Sequence, residues 1–262
     1  MAQGKFYANT SFGDIYSLYV CDQQIRDFVF SLISKLEIRA RAVLDNIVTK
    51  KTNDPFWHLN PTYFKKYEEI QQILNKSGTR FRTGKQEFAI HYRSKYFTKK
   101  SFEYKFIPPF WIISEIFTLE HLVTFAKNIN TNHDLFKISG DNELNVCSKY
   151  FGFDGYEAWV TNLQCLLELR NICAHHSRLW NKNLRSPSGI SKKITIKEPN
   201  SSKSFHRLYS HLIMIRIMCK SLDIDDGIKP FFDTLINSNA TLQRDHKSMG
   251  FPSLWETDPI WA

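Results

Sequence analysis

Apolar residues recur at steps of three and four along most of this chain, and that spacing restricts the fold more than any other feature. An α-helix has 3.6 residues per turn, so such positions form one stripe along its surface. The opposite face of the first such segment carries Arg26, Lys35, Arg39 and Lys50. The spacing therefore predicts a long amphipathic helix. Its stripe consists of Ile25, Val29, Leu32, Leu36, Ala40, Val43 and Ile47.

Further helices are predicted from the same spacing and from capping residues. Asn60-Pro61 is typical of a helix start, and Ser77-Gly78 of the end of that helix. Other helices are expected over about 85–96, after Pro108-Pro109, and over about 143–150, 154–179, 205–222 and 226–237. There is no internal repeat and no alternation of strands with helices. The sequence therefore predicts an all-α bundle in a single domain, 1–262.

Three segments stand apart from this helical pattern. Residues 1–20 are expected to form an N-terminal arm. Residues 185–203 are rich in Ser, Pro and Lys, which predicts a mobile basic loop with a short hairpin at Lys193–Lys197. Residues 249–262 are aromatic and interrupted by prolines, and we expect this tail to dock on the protein.

Composition and cysteine spacing favour a cytoplasmic protein. Of the residues, 42% are hydrophobic and 23% are charged, which is ordinary for a soluble globular chain. The five cysteines are scattered with no C-x-x-C spacing, so we expect reduced thiols and no structural metal site. The N-terminus has no signal-peptide pattern. The most apolar stretch, 110–117, contains Glu115 and is too short to span a bilayer.

The charge of the chain points to a polyanionic partner. The net charge is +9, and nucleic acid is the commonest polyanion in a cytosol. Basic residues also interleave with aromatic ones between positions 80 and 100, so phosphates could be neutralised while bases stack. A solvated helix face explains the same pattern equally well. The candidate RNA-binding residues there are Arg80, Arg82, Arg93, Lys95, Lys99 and Lys100.

The residues most able to carry chemistry lie in one short segment, LRNICAHHSRLWN, at positions 169–181. On a continuous helix Asn171, His175 and Arg178 would share a face, and the long side chain of Arg170 would reach it. His176 is a second imidazole beside the first. Lys182 and Arg178 add positive charge, and we count both as RNA-binding candidates.

This set of residue types suits metal-independent cleavage of RNA. A base must take the proton of the 2′-hydroxyl, an acid must protonate the leaving 5′-oxygen, and the phosphorane needs cationic stabilisation. Histidine can perform either proton transfer near neutral pH, and arginine binds phosphate oxygens with a fixed fork of donors. RNA is the expected substrate because DNA lacks the 2′-hydroxyl. The catalytic candidates are Arg170, Asn171, His175 and His176.

Simpler explanations exist for these and other polar residues. A basic helix end with two histidines is also what a solvated C-terminal turn looks like, since cations favour that end of the dipole. His206 and His211 are five apart but lack further ligands, so we interpret them as surface residues and expect neither a metal nor a cofactor.

Charged residues within apolar stretches predict structural ion pairs. Glu37 and Arg41 are four apart on the first helix and can pair. Glu115 lies inside an apolar run, where a carboxylate needs a partner. Arg41 or Arg170 could serve.

The string RNICAHHSRLWN resembles the signature of the Abi-like abortive-infection proteins of the AbiD/AbiF type, within the HEPN superfamily. The HEPN ribonuclease motif reads Arg, four to six residues, His. Three more segments are similar in order and spacing, so the resemblance covers roughly residues 20–262. They are LEIRARAVL (36–44), PPFWIISEIFTLEHL (108–122) and MGFPSLWETDPIW (249–261).

The resemblance implies a HEPN-like helical bundle with additional helices, a role in phage defence, and RNA as the ligand. Arg170 and His175 match the ends of the motif and Asn171 its polar position, while His176 permits a five-residue spacing. HEPN enzymes typically act as dimers, so a homodimer is implied. Toxin members of the superfamily can be restrained by a small non-coding RNA or a protein partner.

Three functions remain open from the sequence. The first is a metal-independent endoribonuclease toxin, and the second is a non-catalytic module that holds a structured RNA with the same residues. The third is a helical scaffold that binds protein and has no role with RNA.

Overall fold

The computed structural model describes residues 11–96, 107–138, 140–195 and 205–262, except the side chains of residues 244 and 245. Helices dominate these ranges, where the one sheet pairs β1 (Lys137–Ile138) with β2 (Asp141–Asn142) in antiparallel register. The predicted all-α fold class is therefore confirmed. Lys99 and Lys100, two of the RNA-binding candidates, lie outside the described residues.

Ten α-helices are described, some of them joined by short 3-10 turns. They are α1 (Phe12–Thr52), α2 (Tyr67–Thr83), α3 (Glu87–Tyr96), α4 (Phe110–Ile113), α5 (Leu119–Asn128), α6 (Asn145–Tyr150), α7 (Tyr156–Ala174), α8 (Leu208–Ser221), α9 (Ile228–Asn237) and α10 (Ala240–Asp245).

The described residues form two compact units. The first unit consists of residues up to Lys35 together with those from Glu168 onward, and the second of Leu36–Leu167. Helices α1 and α7 each contribute residues to both units. The single-domain organisation stays a prediction.

Helix α1 begins at Phe12, so part of the predicted N-terminal arm, residues 1–20, is helical. Ser11 explains the earlier start, since its hydroxyl accepts a hydrogen bond from the Asp14 N–H at 3.2 Å. The Asp14 carboxylate in turn accepts the Ser11 N–H at 2.8 Å. Such reciprocal bonds satisfy donors that the first helical turn leaves unpaired.

The core of the second unit is an aromatic cluster, which we define as Trp57, Phe64, Phe110, Phe117 and Phe125. The ring centres of Trp57 and Phe110 are 4.6 Å apart, and those of Phe117 and Phe125 are 5.1 Å apart. The Trp57 Nε1–H donates to Asp45 of α1 at 3.0 Å. Rings in such close contacts bury large apolar areas and favour one arrangement.

The helix predicted to start at Asn60 and to end at Ser77-Gly78 differs from the structure at both ends. Asn60 caps a 3-10 turn, Pro61–Tyr63, by accepting the Thr62 N–H. Helix α2 itself begins only at Tyr67 and continues past the buried Gly78 to Thr83. Burial of small residues inside a helix allows a neighbouring element to approach closely, so a glycine there need not mark an end.

The core of the first unit surrounds α8, in which eleven of fourteen residues are buried. Phe28 of α1 stacks on Phe231 of α9 with ring centres 4.0 Å apart. The chain after α10 packs into the same unit, because Phe251 and Trp255 are almost fully buried. The Trp261 Nε1–H donates to the Tyr209 hydroxyl at 3.3 Å.

The first part of the predicted mobile loop, residues 185–195, is packed against the first unit. Ile190 and Ile194 are buried, and the Thr195 N–H donates to the Asp258 carboxylate at 3.0 Å. These contacts do not fit a mobile segment, because its apolar side chains are removed from solvent. Residues 196–203, which complete that prediction and include the last two residues of the expected hairpin, lie outside the described residues.

Candidate functional site

Helix α7 ends at Ala174, so the prediction that it continues to Leu179 is wrong. His176 adopts the left-handed conformation, with φ of 53°. Its N–H donates to the Cys173 carbonyl at 3.2 Å, and the Ser177 N–H donates to the Ile172 carbonyl at 3.0 Å. This pair of bonds is the Schellman termination of a helix, with histidine where glycine is usual.

The termination separates residues that a continuous helix would have aligned. His175 directly follows the helix and keeps a helical hydrogen bond, from its N–H to the Asn171 carbonyl at 3.0 Å. Arg178 lies beyond the left-handed residue and is therefore not on the helix face of Asn171. We call residues 175–182 the α7 turn. His175, His176 and Arg178 are exposed in it, and Lys182 is half-buried.

Arg170 and Asn171 occupy the last full turn of α7, and both are half-buried. The Arg170 Nη1 donates to the Asn171 Oδ1 at 3.5 Å, a long hydrogen bond. Arg170 forms no ion pair with a described residue. Since an arginine carries five N–H donors, most of this guanidinium's donors remain available to a ligand.

A buried ion pair holds the α7 turn in position. Asp22 of α1 accepts the Leu179 N–H at 3.0 Å and the Trp180 N–H at 2.5 Å, and it also pairs with Arg26. Asp22 is 5% exposed and Arg26 is 4% exposed. The prediction that Arg26 lies on the polar face of α1 is therefore wrong, because its charge is neutralised in the interior.

Two further polar contacts anchor the α7 turn and the chain that follows it. Arg207 Nη1 donates to both the carbonyl and the side-chain oxygen of Asn181, at 2.8 and 2.7 Å. The Glu168 carboxylate accepts the Arg185 N–H at 3.0 Å. Glu168 lies about one helical turn before Asn171 and is not among the residues predicted from the sequence. Asp22 and Arg26 are four residues apart on one helix, and this spacing alone would have predicted their ion pair.

His211, expected at the surface, is buried in α8. Burial lowers the pKa of its imidazole, although the carbonyl of Arg207 and the carboxylate of Glu168 favour the charged form. Its Nδ1 lies 3.0 Å from that carbonyl. The surface prediction was wrong because α8 is apolar on nearly every side. His206 is exposed.

Cysteine chemistry does not contribute a nucleophile at this helix end. Cys173 in the last turn of α7 is buried, and burial raises the pKa of its thiol to about 12. A thiol must be ionised to act as a nucleophile. All five cysteines are buried and none forms a disulfide.

The residues expected in structural ion pairs lie together in the second unit. Arg41 Nη2 lies 3.0 Å from Glu37 Oε1, and its Nη1 lies 3.8 Å from Glu115 Oε2. The Glu115 side chain is 54% exposed, so water screens the longer contact. Arg41 also donates to the Phe117 carbonyl at 3.3 Å.

The RNA-binding candidates of the second unit differ in how far they are engaged. Arg93 donates to the carbonyls of Phe81 and Gly84, so its guanidinium joins α3 to the end of α2. Arg82 donates to the Thr79 hydroxyl at 3.1 Å. Arg80 and Lys95 are exposed and form no ion pair with a described residue.

The described ranges offer no clustered set of metal ligands. Within them, no group of three or more His, Cys, Asp or Glu side chains is arranged to hold a metal ion. In the same part of the chain, none of the helices combines the length and apolar character needed to cross a membrane.

Comparison with known proteins gives one match. The model of a family described as "Abi-like protein" matches residues 1–181, well over half of the chain. The matched range contains the segments 36–44 and 108–122 and reaches the α7 turn, whereas the similar tail segment 249–261 lies beyond it. No curated protein and no solved structure matches the chain.

Proposed function

Because this chain belongs to the Abi-like protein family, we propose that it acts in abortive infection as a metal-independent endoribonuclease of the HEPN type. Family membership connects the chain with phage defence. The observation that most supports the chemistry is that a guanidinium, an amide and two exposed imidazoles lie within residues 170–176, at the end of one helix.

The proposed reaction is an internal transfer at phosphorus. An imidazole, His175 or His176, takes the proton of the 2′-hydroxyl, and the 2′-oxygen forms a bond to the neighbouring phosphorus. The bond from phosphorus to the 5′-oxygen breaks, and a second imidazole gives that oxygen a proton. The products carry a 2′,3′-cyclic phosphate and a 5′-hydroxyl, so protons and electrons balance without a metal.

Positive charge at the same helix end would stabilise the reaction. The phosphorane oxygens gain negative charge in the transition state, and groups already oriented toward them lower its energy. Arg170 suits this role because few of its donors are engaged. Arg178, exposed in the α7 turn, and Lys182 would contact flanking phosphates.

Two copies of the chain act together in this proposal. One copy offers two neighbouring imidazoles, one of which is held in the left-handed turn, so a second copy would supply the acid while the first supplies the base. A small non-coding RNA or a protein partner would restrain the toxin until infection.

The test is cleavage of end-labelled RNA by purified protein in excess EDTA. We expect wild type to leave 2′,3′-cyclic phosphate ends, and Arg170→Ala or His175→Ala to lower the rate at least about 100-fold. His246→Ala serves as the control, since His246 lies outside the α7 turn.

Each negative result has a distinct meaning. Tight, salt-dependent RNA binding without cleavage would contradict the enzyme and favour the non-catalytic RNA-binding module. Absence of both binding and cleavage would contradict any role with RNA. Cleavage that disappears in EDTA would contradict the metal-independent reaction.

A further inference from the structure

The second unit contains an open groove of about 580 Å³ between α3 and the start of α4. Its walls are mainly aromatic, and two polar side chains lie among the rings. Trp111 is 47% exposed and Tyr96 is 57% exposed, so flat ring surface faces solvent. The lining includes Glu87, Phe88, His91, Tyr92, Tyr96 and Trp111.

Helix α3 is fixed so that one face is directed to this groove. Arg93 Nη2 donates to the Gly84 carbonyl at 2.7 Å, and the rings of Phe81 and Tyr92 meet edge to face with centres 5.9 Å apart. These contacts hold α3 against the end of α2. Tyr92 and Tyr96 are neighbours with ring centres 4.7 Å apart, and they form one wall of the groove.

Exposed rings around a groove favour a flat apolar ligand. Aromatic side chains are normally buried, and keeping several of them at a concave surface indicates binding. An unpaired nucleobase is flat, and base–aromatic stacking provides a large share of single-strand binding. A duplex cannot enter, because its bases are stacked on one another.

Glu87 is the one carboxylate among the described residues that line the groove, and it narrows the choice of base. Glu87 is exposed, and its carboxylate forms no hydrogen bond or ion pair with a described residue. A carboxylate only accepts hydrogen bonds, and it repels phosphate, so it faces the base edge rather than the backbone. Guanine alone among the four bases presents two adjacent donors, N1–H and N2–H, that match the two carboxylate oxygens.

Two exposed lysines lie next to the groove residues along the chain, and in a nucleotide complex they would attract the attached phosphate. Lys95 is three and four residues beyond Tyr92 and His91, so it projects from the groove face of α3. Lys85 precedes the helix, and both lysines are exposed and form no ion pair with a described residue. A cation at the rim and a carboxylate within suit a nucleotide, with its phosphate outside and its base inside.

We propose that this groove binds one unpaired guanine of an RNA strand, stacked on Tyr92, Tyr96 and Trp111 and hydrogen-bonded at its N1–H and N2–H by Glu87. The inference rests on the proposed function only in that RNA is the ligand. It requires no cleavage, because the groove residues are separate from those of the α7 turn.

The first test measures base preference with single-stranded 2′-O-methyl RNA, which cannot be cleaved through a 2′-hydroxyl. Replacing the one guanine of the strand by inosine removes only the N2 amino group. We expect this to weaken binding by wild type about tenfold. Glu87→Gln should remove the difference between the two strands, whereas Glu68→Gln, at an exposed glutamate in the first turn of α2, should retain it.

The second test measures stacking. Trp111→Leu should weaken binding of the guanine strand about tenfold. Tyr150→Leu is the matched control, since Tyr150 is equally exposed but outside the groove, and it should leave binding unchanged. Equal melting temperatures of the variants would exclude unfolding as the cause.

The outcomes separate the groove from the proposed function. RNA affinity that is unchanged by inosine, by Glu87→Gln and by Trp111→Leu would refute the guanine site. The ribonuclease proposal would be unaffected. If the protein does not cleave RNA but binds guanosine 5′-monophosphate, and Glu87→Gln abolishes that binding, the guanine site is supported and the ribonuclease proposal is refuted. If wild type binds neither the strand nor the mononucleotide, or binds a peptide there instead, the guanine site is refuted.

Discussion

The α7 turn and the aromatic cluster both adjoin buried polar side chains, but the two regions accommodate them in opposite ways. In the first unit the Asp22 carboxylate pairs with Arg26 and accepts hydrogen bonds from two backbone N–H groups. In the second unit His58 lies against Trp57 and Phe110, where burial lowers the pKa of the imidazole to about 3. One region pairs its buried carboxylate with a guanidinium, and the other keeps its buried imidazole in the neutral form.

This difference relates structure to the proposed functions. A carboxylate that binds two consecutive N–H groups fixes the direction of the chain, so the residues of the α7 turn are presented on a rigid support. Aromatic packing instead fixes shape with few polar constraints. Such packing is compatible with the groove proposed in the second unit, where a flat base would be recognised mainly by its shape.

The largest expected effect is on the paired charge. Asp22→Ala removes the partner of a buried arginine and the acceptor of two N–H groups, and breaking such a pair costs about 3–5 kcal/mol of unfolding free energy. Urea unfolding measures this loss. Asp134→Ala, at an exposed pair with Lys137, is the control and should leave stability nearly unchanged, because water screens the pair. Equal effects of the two substitutions would contradict the anchoring role.

The next effect is acid sensitivity of the neutral region. The pKa of His58 is lowered in the folded protein from 6.5 to about 3, so the unfolded chain binds the proton first as pH falls. The contribution of His58 to stability therefore decreases by about 1.4 kcal/mol per pH unit from about pH 6.5 down to about 3.

Unfolding free energy measured against pH tests this dependence. His58→Phe should make the slope shallower, while the lowered pKa of His211 maintains part of it. His246→Gln, outside the aromatic cluster, should keep the wild-type slope. An unchanged slope in His58→Phe would show that His58 is not the group responsible.

A smaller effect with the opposite sign is expected at the helix termination. His176→Gly relieves the left-handed strain, about 1–2 kcal/mol, but adds freedom to the unfolded chain, so we expect a net gain of about 0.5–1 kcal/mol. Asp223 has φ of 54° after α8, and Asp223→Gly should gain a similar amount.

The same pair of variants decides which imidazole acts in cleavage. Loss of activity in His176→Gly but not in Asp223→Gly would assign a catalytic role to His176. Full activity in both would leave His175 as the imidazole that acts. Destabilisation by either glycine would contradict the strain that we infer from the backbone.

The smallest effect is expected at Glu115. Its contact with Arg41 is 3.8 Å long and half exposed, so Glu115→Gln should change the unfolding free energy by less than about 0.5 kcal/mol. Thermal unfolding at low salt is a suitable measurement. A loss above about 1 kcal/mol would mean that the apolar run around Glu115 depends on its charge.

Local spacing predicted much of the fold, because burial of a helix face leaves a periodic pattern in the sequence. Helix α3 was predicted over about 85–96 and lies at Glu87–Tyr96, and α8 and α9 also lie within their predicted ranges. The buried stripe of α1 follows the predicted residues from Ile25 to Ala40. It then continues through Leu44 and Val48, so the predicted positions Val43 and Ile47 are wrong, because both are only half-buried.

The errors arose where a distant contact or an unusual backbone decides the outcome. Helix α7 ends at a left-handed histidine rather than a glycine, so the usual residue that indicates a helix end is missing from the sequence there. Gly78 suggested an end but is buried within α2. Arg26 carries a charge, so its burial could not be foreseen without knowing that Asp22 also binds Leu179 and Trp180.

The residues of the candidate site were all visible in the sequence, but their arrangement was not. Arg170, Asn171 and His175 follow one another at the end of α7, whereas Arg178 leaves the helix face that the spacing assigned to it. The aromatic groove was only partly foreseen. Its wall at Trp111 comes from a different helix, α4, and the spacing within α3 did not indicate that contact.

The central claim is that the end of α7 promotes attack by the 2′-hydroxyl of RNA, and one nucleotide tests it. An RNA that the protein cleaves at a known bond is synthesised with hydrogen in place of the 2′-hydroxyl at that bond. Its cleavage by wild type is then followed in EDTA. We expect that bond to remain intact while the strand still binds with unchanged affinity. Continued cutting at the same bond, or products that end in a 3′-hydroxyl, would contradict the claim.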